Sequence, residues 1–178
     1  MVYGIPEPAG TLHPLKDITL SPETVTDSFV SWTTAWHESF PSLDAVTPEA
    51  IIQRKNLSET SDDPKYKPTR MNAEDMKELA CPEVAERMGP LFVHWSVAKE
   101  NTRRALIDTK GQWENAKVIV EWADMSFWTA AWAAKTLHDL LAEPVQGGQQ
   151  RRDVRFVRLE NTNCWVRNKR SRSVFQPR

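Results

Sequence analysis

Two stretches decide the fold: AKVIVEWADMSFWTAAWAAKTLHDLLA, residues 116–142, and VRFVRL, residues 154–159. Residues 116–122 are short, rich in β-branched side chains and bounded by polar residues, which predicts a buried strand. Residues 126–142 predict a helix, and 154–159 predict a second strand. A strand, a helix and a strand joined by a long crossover form a βαβ unit, whose two strands run parallel. Because a two-stranded parallel sheet is not stable alone, we expect this unit to be the end of a larger sheet.

The second strand alternates in character along its length. Val154 and Phe156 are predicted to face the core, whereas Arg155 and Arg158 are predicted to face water. Residues 143–150 carry Pro and Gly and predict a loop.

Upstream of residue 110 the sequence predicts only helices and loops. Ser21 and Pro22 begin a helix that ends near Pro41, and Thr47-Pro48-Glu49 opens a short helix through Ile51 and Ile52. Residues 56–68 are polar and predict a mobile loop. Asn72 is predicted to cap another short helix, and a longer one runs from Pro90 to a point before Gly111.

Glycine and cysteine usage exclude several kinds of site. The chain has 178 residues but only 6 Gly, and it contains no GxGxxG, P-loop or GxSxG motif. Phosphate-cradling loops and the nucleophile turn of serine hydrolases need such glycines. Cys81 and Cys164 are too few for a disulfide scaffold or a zinc cluster. We expect no cofactor and no bound metal.

Charge is unevenly distributed along the chain. Residues 1–150 hold 14 basic and 22 acidic residues, whereas residues 151–178 hold 9 and 2. This basic end is interpreted as a solvated terminus, and nucleic-acid binding through residues 151–172 is a weaker alternative. With no long apolar run and no signal-peptide pattern, we expect a soluble, cytoplasmic protein.

The run 118–128, the following helix and the segment 152–163 (RDVRFVRLENTN) resemble the C-terminal part of α/β-hydrolase-fold proteins, in particular a fungal group. Residues 4–23 are similar to the helical lid that such proteins insert between strands. The resemblance spans about residues 3–166. It implies an α/β fold in which a mostly helical lid segment precedes a terminal βαβ unit with few strands.

The resemblance also implies catalytic positions. The acid of the family's triad would be Asp124, just after the first strand, and the position of the catalytic His is occupied by Cys164. The nucleophilic serine belongs to the N-terminal half of the family fold, which this chain does not contain. A triad needs a base within reach of a nucleophile and an acid that orients the base. We therefore expect no ester hydrolysis from this chain alone.

Each of these residues also has a simpler interpretation. Asp124 can be a charge at the helix N-terminus, stabilising the helix by roughly 0.3–1 kcal/mol. Cys164 can be an alternative nucleophile, but packing beside Trp165 is the simpler role. His13, His37, His94 and His138 have no metal-ligand spacing, as their positions show. Trp32 and Trp36 are predicted to form a core or lid face, which in a complete hydrolase would wall an acyl pocket.

Together these predictions divide the chain into a lid-like region (1–112), a βαβ unit (113–168) and a basic tail (169–178). The favoured hypothesis is a truncated or divergent α/β-hydrolase-like protein that is not catalytically competent alone. The alternative is a binding or assembly module that uses its Trp-rich helices and basic tail. Its partner would be a missing N-terminal half or a small apolar ligand.

Overall fold

The computed structural model describes residues 7–11, 13–14, 17, 19–67, 95–107, 115–144 and 151–163. Its helices are α1 (Pro22–Thr34), α2 (Pro48–Gln53), α3 (Leu57–Thr60), α4 (Trp95–Leu106) and α5 (Trp128–Ala142). Its strands are β1 (Val118–Ala123) and β2 (Val154–Leu159). No helix in these ranges is both long and apolar enough to cross a membrane. The predicted helix at Asn72 and the domain boundary at residue 112 lie outside the described residues.

The predicted βαβ unit is confirmed. β1 and β2 pair in parallel, from Val118 opposite Val154 to Ala123 opposite Leu159, and α5 connects them. Within the described residues the sheet has these two strands. The chain is therefore of mixed α/β class, with mainly helical structure before a small parallel sheet.

One face of the sheet packs against α5. Phe156 and Val118 lie against Leu137, and the end of α4 contributes Leu106 and Ile107 to this cluster. On the opposite face Ile119 remains 50% exposed. The alternation of the strands thus places one face in the core and leaves the other face open in the described part of the chain.

A second apolar cluster joins the N-terminal helices to the βαβ unit. Phe40, Val46 and Ile51 pack against Trp122 and Trp128 in one cluster. The described part of the lid-like region therefore shares a core with the strands and does not form a core of its own.

Helices α1 and α2 begin directly after the capping residues predicted for them, Ser21 and Thr47. The Ser21 hydroxyl accepts a hydrogen bond from the Thr24 amide, and the Thr47 hydroxyl accepts one from the Ala50 amide. Each helix also has Pro in its first turn, where the missing N–H costs nothing.

The predicted end of α1 near Pro41 is wrong, because the helix stops at Thr34. Beyond it the backbone is extended, and the Trp36 carbonyl accepts a hydrogen bond of 2.7 Å from the Leu57 amide. Long-range pairing with residues 56–58 replaces the next helical turn. The segment predicted to be a mobile loop, 56–68, contains short helical turns at residues 57–60 and 64–66.

The chain turns sharply after β2. Asn161 has a left-handed backbone conformation, with φ of 53°. Asn adopts this conformation more readily than most residues because its short polar side chain can form local hydrogen bonds. The turn directs Thr162 and Asn163 back toward the end of β1, where both are buried.

Candidate functional site

Polar side chains from distant parts of the chain meet where β1 and β2 end. Asp124 follows β1 directly and has no exposed surface. Parallel strands end on the same edge of a sheet, so residues 160–163 after β2 lie beside it. We call Ser39, Arg54, Asp124, Arg158 and Thr162 the strand-end cluster.

The Asp124 carboxylate accepts hydrogen bonds from two directions. Its Oδ2 accepts one of 2.7 Å from the Ser39 hydroxyl, and its Oδ1 accepts one of 3.2 Å from the Thr162 amide. Arg158 Nε lies 3.4 Å from Oδ2, so a positive charge faces the buried negative charge. No imidazole of the described residues donates to this carboxylate. The contacts combine side chains from the N-terminal segment and both strand ends.

The prediction that Arg158 faces water is confirmed only in part. Its side chain is 28% exposed, and besides Asp124 it also contacts Glu160 and the Pro41 carbonyl. Arg158 lies opposite Trp122 in the sheet register, near the carboxyl end of both strands. A charged residue that interrupts an apolar alternation is the signal in the sequence that could have indicated this role. Arg155, by contrast, is exposed as predicted.

Arg54 binds backbone carbonyl groups at the strand-end cluster. Its guanidinium donates to the carbonyls of Glu38, Ser126 and Asp124 at 2.5, 2.7 and 2.5 Å, and it stacks over the Phe40 ring. Burial lowers the pKa of Arg54 to about 10, although the negative charges of Asp124 and Glu38 raise it. The side chain thus remains charged at neutral pH. Nothing in the local sequence around Arg54 predicted this position.

Asn163 fixes the segment after β2. Its Nδ2 donates to the carbonyls of Thr34 and Ala35, at 3.1 and 2.6 Å. These carbonyls end α1 and would otherwise lack helical partners. The next residue, Cys164, lies outside the described residues, so its proposed role at the family's His position stays a prediction.

The simpler interpretation of Asp124 as a helix-terminal charge does not fit the structure. α5 begins at Trp128 with Phe127 as its N-cap, and its first turn carries no acidic residue. The carboxylate contacts Ser39, Thr162 and Arg158, and not the amides of that helix. Its role is therefore to join the two strand ends to the N-terminal segment.

His37 lies beside the cluster. Its backbone N–H donates to the Met125 carbonyl at 3.0 Å, but its Nε2 is buried without a hydrogen-bond partner. Burial, and to a smaller extent the charge of Arg54, lowers the pKa of His37 to about 4. The imidazole is neutral near pH 7 and therefore has the protonation state of a base, but no nucleophile within the described residues is bonded to it.

The other predicted candidates are dispersed. His13 packs against Trp32 and Trp128. His138, on α5, packs against Phe156 of β2. His94 lies outside the described residues. In the described ranges no three His, Cys, Asp or Glu side chains form a group that could hold a metal ion.

The two tryptophans predicted to share a face have different environments. Trp36 is buried, whereas Trp32 is partly exposed and lines a surface cleft of about 450 Å³. That cleft also carries Asp27 and Glu59, so its lining is acidic and does not resemble an acyl pocket.

Comparisons with protein-family models, with curated proteins and with solved structures found no match for this chain. The strand-end cluster must therefore be interpreted from its own chemistry. It combines a buried carboxylate, two arginines and a serine hydroxyl. A nucleophilic hydroxyl is activated by an imidazole within hydrogen-bond reach, and the described cluster contains no such pair.

Proposed function

We propose that this chain is a divergent α/β-hydrolase-like protein that does not hydrolyse esters by itself, and in which the acid position has a structural role. The observation that supports this proposal is the environment of Asp124. Its carboxylate is fully buried, accepts hydrogen bonds from Ser39 and Thr162, and forms an ion pair with Arg158.

The contacts of Asp124 differ from those that a triad acid needs. Such an acid accepts a hydrogen bond from the catalytic imidazole, fixes its orientation and stabilises its positive charge. Here a guanidinium and a serine occupy Oδ2, and a backbone amide occupies Oδ1. The sequence also lacks the GxSxG motif that would carry the nucleophile. We therefore assign Asp124 a role in stabilising the fold, although the resemblance implies a catalytic role for this position.

An ester-hydrolysis assay tests this proposal. The chain, the Asp124→Asn variant and a matched Glu121→Gln control are mixed with short p-nitrophenyl esters. Glu121 is an exposed carboxylate on β1, three residues from Asp124. We expect all three proteins to release p-nitrophenol at the uncatalysed rate. Faster release that is lost in Asp124→Asn but kept in Glu121→Gln would refute the proposal.

A second candidate function, an assembly module, is favoured by the sheet face that the described residues leave uncovered. Parallel sheets are normally covered on both faces. Here Ile119 on β1 is 50% exposed, on the face opposite α5. A polypeptide carrying further strands and helices of such a sheet would extend the edge of β1 with its strands and cover this face with its helices.

Binding of a hydrophobic fluorescent dye tests the second candidate. Ile119→Thr removes apolar surface from the open sheet face, and Ile52→Thr removes it from α2, where Ile52 is 57% exposed. We expect dye binding to the folded chain to fall in Ile119→Thr and to change less in Ile52→Thr. Equal effects of the two changes, or no dye binding at all, would contradict an uncovered sheet face.

A further inference from the structure

Within the described residues the sheet ends at β1 on one side, and β2 lies on the other side. The Val118 amide donates to the Asp153 carbonyl at the start of β2. Backbone groups of alternate residues in a strand point to opposite edges, so those of residues 118, 120 and 122 face β2. The N–H and C=O groups of Ile119 and Glu121 therefore point to the outer edge of β1. An exposed strand edge of this kind can pair with another strand.

Three exposed side chains follow this outer edge. They are Lys117, which directly precedes β1, Ile119 and Glu121. Side chains alternate between the two faces of a strand, so all three lie on the sheet face opposite α5. Neither Lys117 nor Glu121 forms an ion pair with a described residue. Along the chain the row is therefore basic, apolar and acidic, with both charges available to a partner.

This row is complementary to itself when two copies of β1 run antiparallel. A two-fold axis through Ile119 places Ile119 of one copy opposite Ile119 of the other. The same axis places Lys117 of each copy opposite Glu121 of the other copy, which gives two attractive cross-strand pairs. The outward-pointing backbone groups belong to this same row, so hydrogen bonds and charge pairs form in one register.

Other registers of the same two strands lack this match. Moving the axis by one residue in either direction separates Lys117 from Glu121 of the other copy. Moving it by two residues places two lysines or two glutamates opposite each other, which is unfavourable. In the register centred on Ile119, Val118 of each copy also lies opposite Val120 of the other copy on the α5 side of the sheet. Charge and apolar pairing thus favour a single arrangement.

From these features we propose that β1 pairs with β1 of a second copy of this chain, forming an antiparallel dimer with a four-stranded sheet. The inference rests on the second candidate function, for which it names the partner. Six residues of β1 from each copy form a small interface, so we expect a weak dimer. At about 1 µM such a dimer is dissociated, so the Glu121→Gln control describes the single chain.

Sedimentation velocity of the full chain, at concentrations from about 1 to about 100 µM, tests the proposal. We expect the sedimentation coefficient of the native chain to rise with concentration as the dimer forms. Lys117→Glu and Glu121→Lys each turn both attractive pairs into repulsive pairs, so each should raise the Kd about tenfold. Arg155→Glu is the matched control, because Arg155 is an exposed charge opposite Ile119 on β2, one strand away from the interface. It should change the Kd by less than about threefold.

An equimolar mixture of Lys117→Glu and Glu121→Lys gives the decisive result. One copy then has acidic side chains at both positions and the other has basic ones, so both pairs become attractive again. We expect the mixture to dimerise with a Kd within about threefold of the native value. Such recovery also shows that each variant is folded.

Three results would overturn the proposal: a native chain that stays monomeric at about 100 µM, an equally large effect of Arg155→Glu, or no recovery in the mixture. The dye experiment tests the uncovered sheet face separately. A monomeric chain that still binds dye in an Ile119-dependent way would reject the dimer and retain the second candidate function with another partner.

Discussion

Replacing Asp124 by Asn changes the charge of the strand-end cluster while preserving the shape of the side chain. The Asn oxygen can still accept from the Thr162 amide, which lies 3.2 Å from Oδ1. The new amide group then faces Arg158 Nε, which lies 3.4 Å from Oδ2 in the native chain. Two donors then face each other where the native carboxylate and guanidinium form an ion pair.

The expected magnitude follows from these contacts. A hydrogen bond to a charged group contributes about 1.5–3 kcal/mol to stability. Arg158 is 28% exposed, so water compensates part of the loss, and the Ser39 hydroxyl can rotate to accept from the new amide. We therefore expect Asp124→Asn to lower the free energy of unfolding by about 2 kcal/mol.

Urea titration followed by tryptophan fluorescence measures this change, because Trp122 and Trp128 lie in the apolar cluster beside Asp124. Glu121→Gln is the control and should change stability by less than about 0.5 kcal/mol. In an Arg158→Gln background, Asp124→Asn should cost less than in the native chain, because the charge pair is already lost. If Asp124→Asn were as stable as Glu121→Gln, the carboxylate would not be the structural link described here.

Three further predictions concern Arg54 of the strand-end cluster and its neighbours His37 and Asn163. The pKa of His37 is lowered from 6.5 to about 4 in the folded chain. Between these two pH values His37 is protonated in the unfolded chain but mostly neutral in the folded chain. Stability should therefore fall by about 2 kcal/mol from about pH 7.5 to about pH 5, and urea titrations should show a smaller fall in His37→Gln. Arg54→Lys keeps the charge but cannot span three backbone carbonyls, so its midpoint in urea should correspond to a loss of about 2–3 kcal/mol; a loss below about 0.5 kcal/mol would contradict the role given to the guanidinium. Asn163→Asp places a carboxylate against two backbone carbonyls, and its melting temperature should lie below that of Asn163→Ala; the reverse order would argue against the observed hydrogen bonds.

The βαβ unit could be predicted from local sequence, and the reason is physical. β-Branched side chains at 118–120 and the alternation at 154–159 favour extended backbone, whereas the long apolar stretch between them favours a helix. The predicted second strand coincides with β2, and the first differs from β1 by one or two residues at its ends. Parallel pairing then follows from the crossover alone.

The end of α1 shows where local patterns fail. Apolar residues continue at helical spacing as far as Trp36, so the sequence predicted a longer helix. The backbone amides of Leu57 and Ser58 bind the Trp36 carbonyl, which a longer helix would pair within itself, and the helix stops at Thr34. Such competition depends on a segment about twenty residues away in the sequence.

The same division applies to the candidate site. The sequence alone placed Asp124 after one strand and Asn163 after the neighbouring strand. Each strand ends close to the point where its β-branched or alternating apolar pattern ends. Only the tertiary structure assigned them their partners, since Ser39 and Arg54 lie 85 and 70 residues before Asp124. Contacts over such separations depend on how the helices pack against the sheet, and no local spacing encodes that packing. Local sequence therefore determined the two strands and the helix between them, whereas tertiary packing decided where α1 ends and which partners the buried carboxylate has.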